Sequence, residues 1–204
     1  IVLGVTGSIA AYKAVDLASK LVQQGALVDV ILTRSATEFI TARTFNAITH
    51  RPVITDMFPV TELSDTEHIQ VANEADMVVV APATANIIAK LALGISDDPL
   101  TVTSLATRAP MVIAPAMDGH MFEHPAVQEN LRTLRNRNVH IAGPCQGRMA
   151  SGLVGIGRLI EPVELIGHIR WKLGQSGDLA GKVMVISAGG TQEPIDPVRI
   201  ITNR

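Results

Sequence analysis

The chain of 204 residues contains one cysteine, Cys145. A single thiol excludes a disulfide framework within the chain and leaves no basis for a Cys-based zinc site. It fits a reducing, cytoplasmic setting. Aromatic residues make up only 3%, with one Trp, one Tyr and four Phe. The core must therefore be filled by Ile, Val, Leu and Ala, as in parallel sheets covered on both faces. Charged residues are sparse at 18%, and the formal net charge is −2. That balance gives no electrostatic ground for a nucleic-acid or anionic-membrane partner. No apolar run reaches the roughly 18–20 residues needed to span a bilayer. No internal repeat or low-complexity segment is present. The chain opens on Ile1 rather than Met, so a short N-terminal stretch is expected to precede it. The apolar run 1–5 is too short for a signal-peptide core and leads into a Gly-Ser turn.

Hydrophobic residues reach 47%, enough for a large buried core. Their spacing alternates between short apolar runs and helical stripes. The run 1–6 ends at Gly7-Ser8, and Ala14, Leu17, Ala18, Leu21 and Val22 then recur at helical intervals up to Gly25. A second apolar run follows over 27–32. This β-turn-α-β unit belongs to a parallel sheet. The same rhythm predicts helices over 38–48, 85–93, 99–107, 126–137 and 162–173. It predicts strands over 77–81, 110–114 and 139–142. The expected architecture is a doubly wound α/β domain. Two stretches break the pattern. Residues 49–66 form a long polar loop, expected to be functional. Residues 143–157 hold five glycines and suit a mobile flap. The sequence 175–177, Gln-Ser-Gly, resembles a linker. Beyond it a strand is expected over 182–188, either opening a second domain or adding an edge to the first sheet.

Three turns carry small polar residues at expected strand ends. Gly7 and Ser8 begin a helix, where free N–H groups and a hydroxyl suit an anion. The spacing is not GxGxxG, and the plainer reading is a tight turn capped by Ser8. Thr33 and Ser35 follow the second strand, with helix capping as the plainer role. Thr84, Ala85 and Asn86 follow Val78-Val79-Val80-Ala81-Pro82-Ala83. Small residues there let a flat ring approach the backbone, and the three turns together point to a nucleotide-like ligand. His68 follows the long loop at a helix entry, as a base, a substrate anchor or a simple cap. Met117, Asp118 and Met121 follow another strand. Methionines there often only fill space, but Asp118 in an apolar setting is harder to dismiss.

Taken in order, TGSIAAYK, EHI at 67–69, APATAN, PAMDGHM and GRMASGLVGIGRL resemble the homo-oligomeric flavin-containing cysteine decarboxylases. The resemblance covers about 1–173. It implies a flavodoxin-like (Rossmann-type) sheet, bound FMN, and a homotrimer or dodecamer with FMN near subunit contacts. The tail DLAGKVMVISAGGTQEPIDPVRIITNR resembles the opening of phosphopantothenate–cysteine ligase, which in many bacteria is fused behind such a decarboxylase. The implied division is a decarboxylase domain over 1–174, a linker over 175–181 and the start of a ligase over 182–204. Mg²⁺ and CTP would serve only that ligase part. The implied substrate is phosphopantothenoylcysteine: thiol oxidation to a thioaldehyde, loss of carboxylate, then re-reduction to 4′-phosphopantetheine.

Residue by residue, the resemblance assigns Gly7, Ser8 and Ile9 to the FMN phosphate end. Thr33, Ser35, Thr84, Ala85 and Asn86 would line the rest of the flavin site. His68 matches the family's active-site histidine. Met117, Asp118 and Met121 match its PxMNxxMW segment. Met149, Ala150, Ser151, Gly152 and Arg158 fall in its substrate flap. Two positions depart from the pattern. Asp118 replaces an Asn, so it either accepts hydrogen bonds from other substrate groups or is protonated in a dry site. Ser151 replaces the flap cysteine and is a far weaker acid. Some bacterial members share both changes, which implies a variant subfamily. Cys145 is an alternative proton donor, though an incidental small flap residue is the plainer reading. A short-chain dehydrogenase is disfavoured because the first turn has only Gly7, and the sole tyrosine is Tyr12. Two other readings are a flavin prenyltransferase of the same fold, and a non-enzymatic phosphatase-inhibiting subunit, which would usually carry an acidic tail.

Overall fold

A computed structural model describes residues 1–57, 67–148, 152, 154–175, 177–190 and 192–202. β1 (Val2–Val5) leads through α1 (Ala11–Gln23) to β2 (Asp29–Leu32). α2 (Arg34–Thr37) and α3 (Ala42–Thr49) precede the short β3 (Val53–Ile54). α4 (Glu67–Glu74) leads to β4 (Val78–Ala83), then α5 (Ala85–Leu93), α6 (Pro99–Ala106) and β5 (Met111–Pro115). α7 (Gly119–Glu123) and α8 (Pro125–Asn136) lead to β6 (His140–Ile141). A hairpin of β7 (Cys145–Arg148) and β8 (Val154–Arg158) precedes α9 (Pro162–Gly174). The tail carries a separate pair, β9 (Gln192–Pro194) and β10 (Ile200–Thr202).

Six strands form one sheet in the order β3-β2-β1-β4-β5-β6, with every pairing parallel. Leaving aside the two-residue edge β3, this is the flavodoxin-like order. The strands are apolar on both faces because both faces are covered. Leu3, Val5, Val30, Leu32, Val79 and Val112 pack towards α1, α3 and α9. Val2, Ile31, Val78, Val80 and Ile113 pack towards α5, α6 and α8. Each fully buried Leu or Ile contributes about 1.5–3 kcal/mol. Gly4 breaks the second set for a reason: a Cβ there would lie 2.3 Å from Leu100 Cδ1 of α6. The missing side chain lets α6 sit directly on β1.

The helix expected over 38–48 is instead two helices. Thr33 starts the first early, its hydroxyl accepting from Ala36 N at 3.3 Å. Thr41 then takes an extended backbone before α3, a conformation β-branched residues tolerate well. The glycine-rich stretch 143–157 contains the antiparallel β7–β8 hairpin, paired from Cys145↔Arg158 to Arg148↔Val154. No strand forms over 182–188. Val183, Met184, Val185 and Ile186 are exposed, and without a partner strand their backbone groups gain nothing from extension. Nor do the described residues of the tail add an edge to the main sheet. Among the described residues, no helix is long and apolar enough to cross a membrane.

Candidate active site

The chain winds from β1 outward to β2 and β3, then crosses back to β4 on the other side of β1. That switch opens a crevice at the carboxyl ends of β1 and β4, where doubly wound sheets bind ligands. Thr6 closes its floor. Its buried hydroxyl donates to Pro82 O at 2.6 Å and accepts from Thr84 N at 3.2 Å. The exits of the two strands are thereby tied together. Thr84 in turn caps α5, accepting from Ile87 N at 3.4 Å.

Gly7 brings in the third turn. A Cβ on it would fall 2.5 Å from Ser35 Cβ and 2.9 Å from Ser35 O. Only glycine lets the exits of β1 and β2 touch. Ser8 accepts from Ala10 N at 3.2 Å, but Ala10 is the helix cap. Ser8 therefore folds the turn without capping α1 in the usual sense.

The turn at 6–10 separates two clefts. One, of about 520 Å³, gathers Gly7, Thr33, Ser35, Thr84, Ala85 and Asn86. All six are residues that the sequence assigned to a cofactor. Met121, exposed on α7, also lines this cleft rather than sitting beside Met117. Arg34, Lys90, Asp97 and Asp98 complete its polar wall. Lys90 Nζ lies 2.6 Å from Asp97 Oδ1 and 3.1 Å from Asp98 Oδ2. The hydrogen bond to Asp97 holds the Lys90 ammonium above its ordinary pKa.

The other cleft, of about 400 Å³, lies between α1, the exit of β5 and the flap hairpin. It brings Ser8 and Ile9, expected at the cofactor's phosphate end with Gly7, together with Met117, Asp118 and Arg158, expected on the substrate side, and adds Tyr12, Lys13 and Arg148. The flap is fastened here: Met117 N donates to Gly157 O at 3.0 Å. Asp118 begins α7 and accepts from His120 N at 3.0 Å. Lys13 is buried, and its Nζ donates to Leu159 O at 3.0 Å and to Glu161 Oε1 at 2.8 Å. Lys13, Arg148 and Arg158 face a single lining carboxylate, Asp118. Glu161 matches the charge of Lys13, and Ile9, Ala116, Met117 and Leu159 make much of the remaining wall apolar.

The backbone of His68 lies in the first turn of α4. Met149, Ala150 and Ser151 lie outside the described residues. Gly152 is exposed, with a positive φ of 86° and nothing within 4 Å of a Cβ. Cys145 is half-buried, its Sγ 3.4 Å from Arg158 O at the base of the hairpin. The sequence reading missed Thr6, Lys13, Arg148 and Glu161. Lys13 left a signal: it stands at helical spacing with Leu17 and Leu21, on a face otherwise apolar. The acidic and basic residues around Lys90 left none.

Residues 1–174 match the Flavoprotein family model, and residues 179–204 match the DNA/pantothenate metabolism flavoprotein C-terminal domain. The Coenzyme A biosynthesis bifunctional protein CoaBC of Bacillus subtilis (strain 168) is 48% identical over 206 residues, spanning all of this chain and 51% of that protein. The chain thus spans about half the length of the curated relatives it matches. Two solved structures share the fold. One is a PPC decarboxylase mutant complexed with pantothenoylaminoethenethiol, with TM-score 0.74 and 28% identity over 83% of this chain and 95% of that one. The other is the FMN-dependent cysteine decarboxylase SpaF, with TM-score 0.70 and 31% identity over 85% of this chain and 94% of that one. The sheet, the turns and this match along 1–174 agree: the chain belongs to the Flavoprotein family.

Proposed function

We propose that this chain is the FMN-dependent decarboxylase part of a coenzyme A biosynthesis protein, acting on phosphopantothenoylcysteine to give 4′-phosphopantetheine. The observation that carries the reading is the pair of clefts on either side of turn 6–10. One is lined by small and hydroxyl residues beside the Lys90–Asp97–Asp98 cluster and Arg34, the other by a largely apolar wall that carries Arg148 and Arg158. The first suits a flat ring system bearing polar edges, and its volume falls within the range of ligand sites. Gly7, Thr33, Ser35, Thr84, Ala85 and Asn86 would hold the flavin. Ser8 and Ile9, at the junction of the two clefts, would hold its phosphate end. Bound flavin supplies the two-electron chemistry that a protein side chain cannot.

The residues of this chain position the substrate for that chemistry. Arg148 and Arg158 would receive its acidic groups in the second cleft, and Met117 would pack against its apolar part. Asp118 stands in the same cleft and would accept hydrogen bonds from the substrate. Two arginines beside one carboxylate keep the cleft cationic, so an acidic substrate is tolerated next to Asp118. His68 would accept or hold a proton at the reacting cysteinyl group, and Ser151 replaces the family's flap donor. The division into a decarboxylase over 1–174, a linker over 175–181 and the start of a ligase over 182–204 belongs to the same proposal. So do a cytoplasmic setting and a homotrimer or dodecamer with FMN near subunit contacts. The full-length protein would add the ligase step, with its CTP and Mg²⁺.

The expected result is a yellow protein carrying one FMN per subunit, read from its absorbance and from mass analysis of the released cofactor. Protein that stays colourless and takes up no FMN on reconstitution would contradict the proposal.

A further inference from the structure

Arg158 is set over the second cleft by contacts that no sequence motif announces. Its guanidinium Nη2 lies 2.7 Å from Glu161 Oε1, just beyond the end of β8. The same oxygen accepts from Lys13 Nζ at 2.8 Å. Lys13 is the fixed member of this trio: its side chain is 7% exposed, against 55% for Glu161 and 43% for Arg158. A third bond, to Leu159 O, holds the ammonium in place. Glu161 stays ionised, because the hydrogen bond from Lys13 first, and then the charges of Lys13 and Arg158, hold its carboxyl below the usual carboxylate range. Across the hairpin, Gly147 leaves room for the arginine stem. A Cβ there would lie 2.9 Å from Arg158 Cδ and 3.3 Å from Nη1.

We propose that Glu161 is a positioning residue for anion recognition: tied to Lys13, it holds the Arg158 guanidinium over the cleft where the acidic groups of the substrate bind. The proposal rests on assigning that cleft to the substrate. An exposed Arg–Glu pair contributes little to stability, but an arginine already held in place loses less freedom when an anion arrives.

The sign of the effect separates positioning from simple charge. Glu161→Gln removes one negative charge beside the cleft. If Glu161 only tempered the field, an anion would bind more tightly to the variant. Positioning predicts the reverse. In flavin-loaded protein, Glu161→Gln should raise KM for phosphopantothenoylcysteine by about three- to tenfold, with kcat and flavin content held. Arg158→Ala should raise KM at least as much, and the double variant should match Arg158→Ala alone. Gly147→Ala, which displaces the arginine while keeping Glu161, should repeat the KM rise and guards against a folding defect in the first variant. An unchanged or lowered KM in Glu161→Gln, or effects that multiply in the double variant, would overturn the proposal. Calorimetric titration with inorganic phosphate probes the same cleft without turnover. Weaker binding in Glu161→Gln supports positioning, and equal or tighter binding overturns it. If the unaltered protein shows no turnover at all, the substrate assignment fails, and the phosphate titration still decides the role of Glu161.

Discussion

Gly7→Val is expected to strip flavin from the protein and to loosen the carboxyl edge of the sheet. The position has no room. Even the first side-chain carbon would fall 2.5 Å from Ser35 Cβ, and the carbonyl oxygen and carbon of Ser35 stand 2.9 and 3.0 Å away. Two of these three atoms are backbone, so no rotamer change relieves the clash. The β1 and β2 exits must separate, carrying Thr33 and Ser35 away from Thr84 and Asn86. Overpacking of this kind costs about 1–3 kcal/mol, several degrees of Tm for a domain this size. The larger loss is binding, since the cleft no longer closes around one ligand. Cofactor content and Tm measured on the same preparation check this. A variant that retains full flavin would mean the turn is not part of the cofactor site.

The second large effect is expected at His68. His68→Asn should lower decarboxylation by about 10²- to 10⁴-fold, the usual contribution of a positioned acid–base group, while flavin stays bound. Asparagine keeps a similar length and can still hydrogen-bond, but it cannot take up a proton near neutrality. The residue opens α4, and that helix is fixed further along, where Thr107 Oγ1 donates to Ala72 O at 2.8 Å. Loss of the imidazole should therefore leave the fold intact. Flavin content and turnover, measured together, separate the two roles. Near-normal turnover would reduce His68 to a helix-entry residue.

Much of the fold can be read in the chain, because its physics is local. Val78-Val79-Val80-Ala81 is apolar at every position, which only a strand covered on both faces tolerates. The α5 helix, with Thr84 before it and Gly94 after it in a left-handed conformation, has both ends marked. β3 could not be seen, since two residues carry no period. The β7–β8 hairpin was hidden by its glycines, which are permissive in any conformation. The site divides in the same way. Thr33, Ser35, Thr84 and Asn86 stand out in the sequence as small polar residues at expected strand ends, and the fold gathers them in one cleft, although Thr33 and Thr84 also cap helices. Thr6 is not legible, since a threonine ending a strand is ordinary until Pro82 O is found 2.6 Å away. Lys13 and Glu161 are 148 residues apart, and no local pattern joins them.

The central claim is that the two clefts together decarboxylate a cysteine-derived acid. Incubating the flavin-loaded protein with phosphopantothenoylcysteine and weighing the products by mass spectrometry tests it directly. The account predicts a product lighter by one CO₂ and at the redox level of the free thiol, 4′-phosphopantetheine. An accumulating ene-thiol would place the defect at Ser151, in the final proton delivery. Unchanged substrate in the presence of fully loaded protein would contradict the account.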